Sequence, residues 1–185
     1  MGALGSNAAV LCRNLAFERV LVCDFDRVES KNVLAQAFVK QSIGKNKAEA
    51  LKLQLFNFWG LRVDASSVRI GTDNIDAILG TSDLLVDAFD NQSSRRTLSD
   101  FARRTKKELL HAAISADGTF GMVRWDARFK PDAEDGPGQA TCEGGEHLPI
   151  IGSLSATLAR CIQDFVQKKE TWDAMVTLYG VTVQR

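Results

Sequence analysis

The sequence predicts an α/β chain: a doubly wound, mostly parallel sheet with helices on both faces and its first strand missing. Three observations carry this expectation. Short aliphatic, β-branched runs alternate with stretches of helical apolar spacing along the 185 residues. A glycine-rich turn, Gly2-Ala3-Leu4-Gly5-Ser6, opens a helix, and about twenty residues later a strand closes on an acid, Asp24. The chain begins at Met1, inside that turn, so the strand that should lead into it is absent and an upstream start is expected.

The elements follow in order. Ala9, Val10, Leu15 and Ala16 give 7–17 a helical face directly after the glycines. Residues 19–24 are a short buried strand by length and composition. Residues 45–58 repeat apolar side chains at Ala48, Leu51, Leu53, Leu55 and Phe56 and stop before Gly60, as a helix would. Residues 61–70 alternate as a strand, 73–79 form a short helix ended by Gly80, and 84–88 are the next buried strand. A polar-faced helix over 91–107 leads to strands over 109–115 and 119–125. A strongly apolar helix spans 150–168, and 177–184 is a last strand. Residues 128–145 hold prolines, glycines and acids without periodicity, and loops of that length are usually functional or disordered.

Composition excludes several classes. Twenty-three basic and 23 acidic residues balance to zero net charge, so neither a nucleic acid nor a membrane surface is an expected partner. The most apolar run, Val20 to Cys23, is far too short to cross a bilayer. No signal peptide is visible, so a cytoplasmic location with reduced thiols is expected. The four cysteines, Cys12, Cys23, Cys142 and Cys161, form no C-x-x-C pair, and no zinc is expected. Cys12, Cys23 and Cys161 lie in apolar patterns and read as core, as do Phe56 and Trp59 unless these meet a second subunit.

The residue types at the strand ends point to a nucleotide. Glycines let the backbone approach phosphates, a helix N-terminus offers free N–H groups, and an acid such as Asp24 can accept from ribose hydroxyls. Asp90 ends the strand region over 84–88, where a ligand or a helix cap would use it.

Four blocks then line up with one family. Asp24-x-Asp26-x-Val28-Glu29-x-x-Asn32-x-x-x-Gln36 resembles the first signature of the ThiF/MoeB/ubiquitin-activating-enzyme superfamily. Gly44-Lys45-Asn46-Lys47-Ala48 is similar to its G-x-x-K-A element. Val86-Asp87-Ala88-Phe89-Asp90-Asn91, with Arg95 and Leu98 beyond, is similar to its D-x-T-D-N box. Thr141-Cys142-Glu143 and Pro149-Ile150-Ile151-Gly152 resemble its crossover cysteine and the helix that follows. The resemblance covers nearly the whole chain, as one Rossmann-like adenylation domain over 1–185 with 126–148 as a crossover loop.

The resemblance implies ATP- and magnesium-dependent adenylation of the C-terminal glycine of a ubiquitin-like or sulfur-carrier protein ending in Gly-Gly. Carried over by position, Gly2 and Gly5 approach the phosphates, Asp24 accepts from the ribose, Asn32 and the catalytic Lys47 contact phosphates, and Asp26 and Gln36 line the nucleotide. Asp90 holds magnesium, and Cys142 is the candidate for covalent chemistry with the carrier. Homo- or heterodimers are the family habit. One departure concerns the family arginine before the glutamine, which is Ala35 here, with Lys31 four residues earlier; neither supplies a planar fork to phosphate oxygens. That departure, with the missing zinc pairs, keeps open a catalytically weak scaffold or partner subunit. An NAD- or FAD-dependent oxidoreductase on the same fold is a further alternative, in which the Asp90-Asn91 box has no role.

Overall fold

The computed structural model describes residues 1–129 and 145–184. The first half runs α1 (Ala3–Leu11), β1 (Leu21–Cys23), α2 (Lys47–Trp59), β2 (Asp64–Ser66), α3 (Ile75–Leu79) and β3 (Leu84–Asp87). The second runs α4 (Gln92–Thr105), β4 (Glu108–Ile114), β5 (Phe120–Trp125), α5 (Leu148–Lys168), β6 (Asp173–Thr177) and β7 (Gly180–Gln184).

Local chemistry sets the helix ends. Asn46 caps α2 by accepting the Glu49 N–H, and Gly60 stops it at φ 66°, a conformation only glycine takes freely. Asn91 caps α4 by accepting the Ser94 N–H at 2.9 Å, so the cap falls to Asn91 rather than Asp90. α1 begins four residues earlier than its apolar face indicates, immediately after Gly2.

The strands form two separate ladders. β1 and β2 are a parallel pair, with Leu21 opposite Asp64. β3 and β4 are also parallel, and β4-β5-β6-β7 continue antiparallel to complete a five-stranded sheet. The α/β class therefore holds, but three of the five ladders among the described residues are antiparallel. The short links at 115–119 and 178–179 dictate this for β4–β5 and β6–β7, because only antiparallel neighbours can be joined so tightly. The expected single strand over 177–184 is in fact the β6–β7 hairpin: its apolar alternation runs through the turn at Leu178 and Tyr179 and hides it.

Helices cover both faces. Leu110 and Ala112 of β4, Val123 of β5 and Val176 of β6 pack with α1 and α5. Leu85 of β3 and Leu109 of β4 pack on the other side with α3 and α4, and Leu21 and Cys23 of β1 reach the same cluster. Val22 of β1 joins α2 in a third cluster. The two sheet pieces thus meet through side chains but share no ladder. Val86 marks the open seam: in the middle of β3 it is 40% exposed, between buried Leu85 and Asp87. Phe56 and Trp59 are not core, since both lie about half exposed under the guanidinium groups of Arg62 and Arg13. Among the described residues no helix is long and apolar enough to cross a membrane.

Candidate functional site

The site assembles around the first turn of α1. Asp24 follows β1, and the α-ammonium of Met1 donates to its Oδ2. Asp24 Oδ1 accepts the Asp26 N–H at 2.8 Å, which turns the chain out of the strand. On the other side, Gly5 packs on Ala88, the residue after β3. The carboxyl ends of β1 and β3 therefore flank the same helix terminus, with Asp24 directly after β1 and Asp90 in the turn that follows β3. That terminus is open: Gly2 offers no side-chain cap, and no acid stands in the first turn.

α2 is tied to the same end of the sheet. Asn46 Nδ2 donates to the Asp24 and Asp26 carbonyls, and Lys47 N–H donates to Asp26 at 2.8 Å. The Lys47 side chain is buried, with Nζ 3.3 Å from Asp26 Oδ2. Lys47 is thus held beside Asp24 and Asp26 rather than on a solvated face.

The segment between β1 and α2 divides the remaining candidates. Asn32 is committed to its own backbone: its Oδ1 accepts the Glu29 N–H at 2.9 Å in a reciprocal cap. That bond engages the acceptor of the amide, whereas the expected contact with a phosphate would come from its donor, Nδ2. Gln36 is different, since its buried Oε1 has no hydrogen-bond partner. Its neighbours are pinned to α1, Asn7 Nδ2 donating to the Ala35 carbonyl and Ala37 N–H donating to Ser6 Oγ. An orphaned acceptor beside an open helix terminus fits a ligand with a donor there.

Ala35 is 2% exposed and packed in the main core. An arginine at that place would drive a guanidinium among α1 and α5, so restoring the family residue here disrupts packing. Lys31 lies half exposed, 3.3 Å from Glu29.

Behind the Asp90 turn lies a buried polar network that sequence spacing did not reveal. Asp87, at the end of β3, is fully buried and receives Arg95 Nη1 at 2.9 Å. Arg95, part of the D-x-T-D-N box, is 5% exposed and also donates to the Phe89 and Ala112 carbonyls. His111 stands in mid-β4 with no exposed surface, between Asp87 and Asp126. The only sequence signal was an imidazole within an otherwise apolar run, Leu109 to Ala113.

The thiols divide likewise. Burial pushes Cys12 and Cys23 up to about 11 and Cys161 to about 12, so none is a ready nucleophile. Cys142 lies outside the described residues. His147 packs its ring on Gly118 in the β4–β5 turn, where a side chain could not fit. Among the described residues no three His, Cys, Asp or Glu side chains gather in a metal-binding cluster.

An open helix N-terminus flanked by acids at the carboxyl ends of parallel strands is the arrangement in which doubly wound α/β domains hold nucleotides. Residues 1–172 match the ThiF family, and the chain belongs to it. It is 37% identical over 99 residues to the sulfur carrier protein adenylyltransferase of Thermus thermophilus, covering 52% of this chain and 36% of that protein. It is 30% identical over 118 residues to the SAMP-activating enzyme E1 of Haloferax volcanii, covering 61% and 43%. E. coli MccB, solved with AMPCPP and MccA, superposes with a TM-score of 0.77 at 15% identity, over 99% of this chain and 60% of that one. The structure of PaaA gives 0.73 at 12% identity, covering all of this chain and 60% of that one. The chain thus spans well under half the length of these two curated relatives.

Proposed function

We propose that this chain is the nucleotide-binding part of an ATP- and magnesium-dependent adenylating enzyme. Its substrate on this reading is the C-terminal glycine of a ubiquitin-like or sulfur-carrier protein, activated in the cytoplasm by a dimer. The observation that carries the reading is the uncapped terminus of α1, set between the ends of β1 and β3. Its N–H groups hold phosphate oxygens. Asp24 and the orphaned Gln36 Oε1 accept from hydroxyl or amino groups of the nucleoside. Lys47 spends one ammonium donor on Asp26 and keeps others for phosphate.

The carrier's carboxylate is already ionised, so these residues need no general base. Their work is to align it with the α-phosphate and to place positive charge where negative charge concentrates. Asp90 offers a single carboxylate, which suits a magnesium ion that takes its other ligands from phosphates and water. Bound there, the ion would neutralise charge developing on the phosphates and the pyrophosphate leaving group.

A second reading, a ThiF-type scaffold supporting an active partner, is favoured by Ala35: the core fills the space an arginine would need. The test is ATP–pyrophosphate exchange with carrier proteins ending in Gly-Gly, beside calorimetry of ATP with and without magnesium. Exchange, with magnesium-dependent binding lost in Asp90→Ala, supports the enzyme. Binding without exchange by any carrier supports the scaffold. No ATP binding in either condition overturns the nucleotide site.

A further inference from the structure

We propose that His111 is a positioning residue for the Asp90 turn, clamping Asp87 at the end of β3 to Asp126 at the end of β5. Its functional consequence rests on the nucleotide reading above; its geometry does not. The His111 Nδ1 lies 2.6 Å from Asp87 Oδ2, and Nε2 lies 3.0 Å from Asp126 Oδ1. Ionised carboxylates only accept, so with both acids ionised the ring donates at both ends. Phe129 stacks on one face at 3.9 Å, at the start of the segment that leads toward Cys142.

Both acids are gripped from α4 as well. Arg95 donates to Asp87, while Ser99 Oγ and Arg103 Nε donate to Asp126. A buried set of five polar side chains costs more in desolvation than an apolar packing of similar shape. Its use lies in what Asp87 does next. Asp87 Oδ1 accepts the Phe89 N–H at 2.7 Å, and Arg95 holds the Phe89 carbonyl. The residue before Asp90 is therefore held by both its backbone groups, and the residue after it is the cap of α4. Asp90 hangs between two fixed points, and His111 keeps the first from turning. Neither ring nitrogen faces the open terminus of α1, so the imidazole acts through Asp87 and not on the nucleotide.

The test compares His111→Gln, which keeps one donor, with His111→Phe, which keeps the volume and the stack on Phe129. In nucleotide-free protein, amide exchange at Phe89, Asp90 and Asn91 is expected to quicken about tenfold, the equivalent of one charge-assisted hydrogen bond. The amides of β5 should keep their protection. In calorimetry, magnesium-ATP binding should weaken about tenfold while magnesium-free ATP binding holds. In an Asp90→Ala background the His111 substitutions should then cost nothing further. Unchanged exchange at 89–91 overturns the clamp. So does an equal loss with and without magnesium, or a loss that persists undiminished in Asp90→Ala. If the wild type binds no nucleotide, the nucleotide reading fails alone and amide exchange still decides the clamp. Should His111→Phe not fold, His111→Gln carries both measurements.

Discussion

Gly5 stands so close to Ala88 that a Cβ built on it would lie 3.5 Å from the Ala88 Cβ, an ordinary contact distance. That contact docks the first turn of α1 on the end of β3, and it leaves room for one methyl group and no more. Gly5→Ala should therefore raise stability by about 0.5–1 kcal/mol, since alanine suits a helix better than glycine. The same methyl would point at Ala88 and the Met1 side chain, so ATP binding should be unchanged. Gly5→Leu should lose about 1–3 kcal/mol through overpacking. Urea melts and ATP calorimetry on the two variants separate these effects. An alanine variant that melts earlier than wild type would show that the glycine is there for packing.

Arg95 and Asp87 form an ion pair with almost no exposed surface. Arg95→Met takes the guanidinium from a buried carboxylate and two carbonyls, leaving Asp87 only His111 and the Phe89 N–H, and should cost about 3–5 kcal/mol in denaturant melts. Combining it with Asp87→Asn removes the uncompensated charge, so the pair should cost less than the two single changes summed. Strict additivity would mean that the pair does not interact in solution.

The seam between the two sheet pieces makes a further claim. Val86 is 40% exposed in mid-strand, so Val86→Lys should cost less than about 1 kcal/mol, as surface changes do. Leu85→Lys, one residue back and buried, should unfold the domain. If Val86→Lys proves as damaging as Leu85→Lys, some element covers β3 in solution.

Stability should also fall in acid through Asp126. Burial alone would raise its carboxyl, but hydrogen bonds from Ser99, Arg103 and His111 outweigh that and hold it below the usual carboxylate range. A lowered folded value means that its stabilisation is complete above the ordinary aspartate range and disappears as pH falls through the lowered one. Melting temperatures of wild type and Asp126→Asn, followed from neutral pH downward, check this. The two curves should converge in acid. A constant gap between them would remove Asp126 from the acid transition.

Much of this was written in local sequence. Alternating apolar runs set the α/β class, Asn46, Gly60 and Asn91 set helix ends, and Asp24 and Asp90 fell beside the carboxyl ends of β1 and β3. These features depend on a few neighbouring residues, because a helix face or a cap is decided within one or two turns. Other features were decided only by tertiary structure: the split between β1 and β3, the antiparallel run from β4, the burial of Ala35, and the Asp87–His111–Asp126 bridge. Periodicity says which side of its own element a residue faces, not which strand becomes its neighbour. His111 meets acids 24 and 15 residues away along the chain, on strands whose order no local pattern encodes. A residue's partners across a sheet are settled when the layers pack, and only then does a lone histidine in an apolar strand become a bridge.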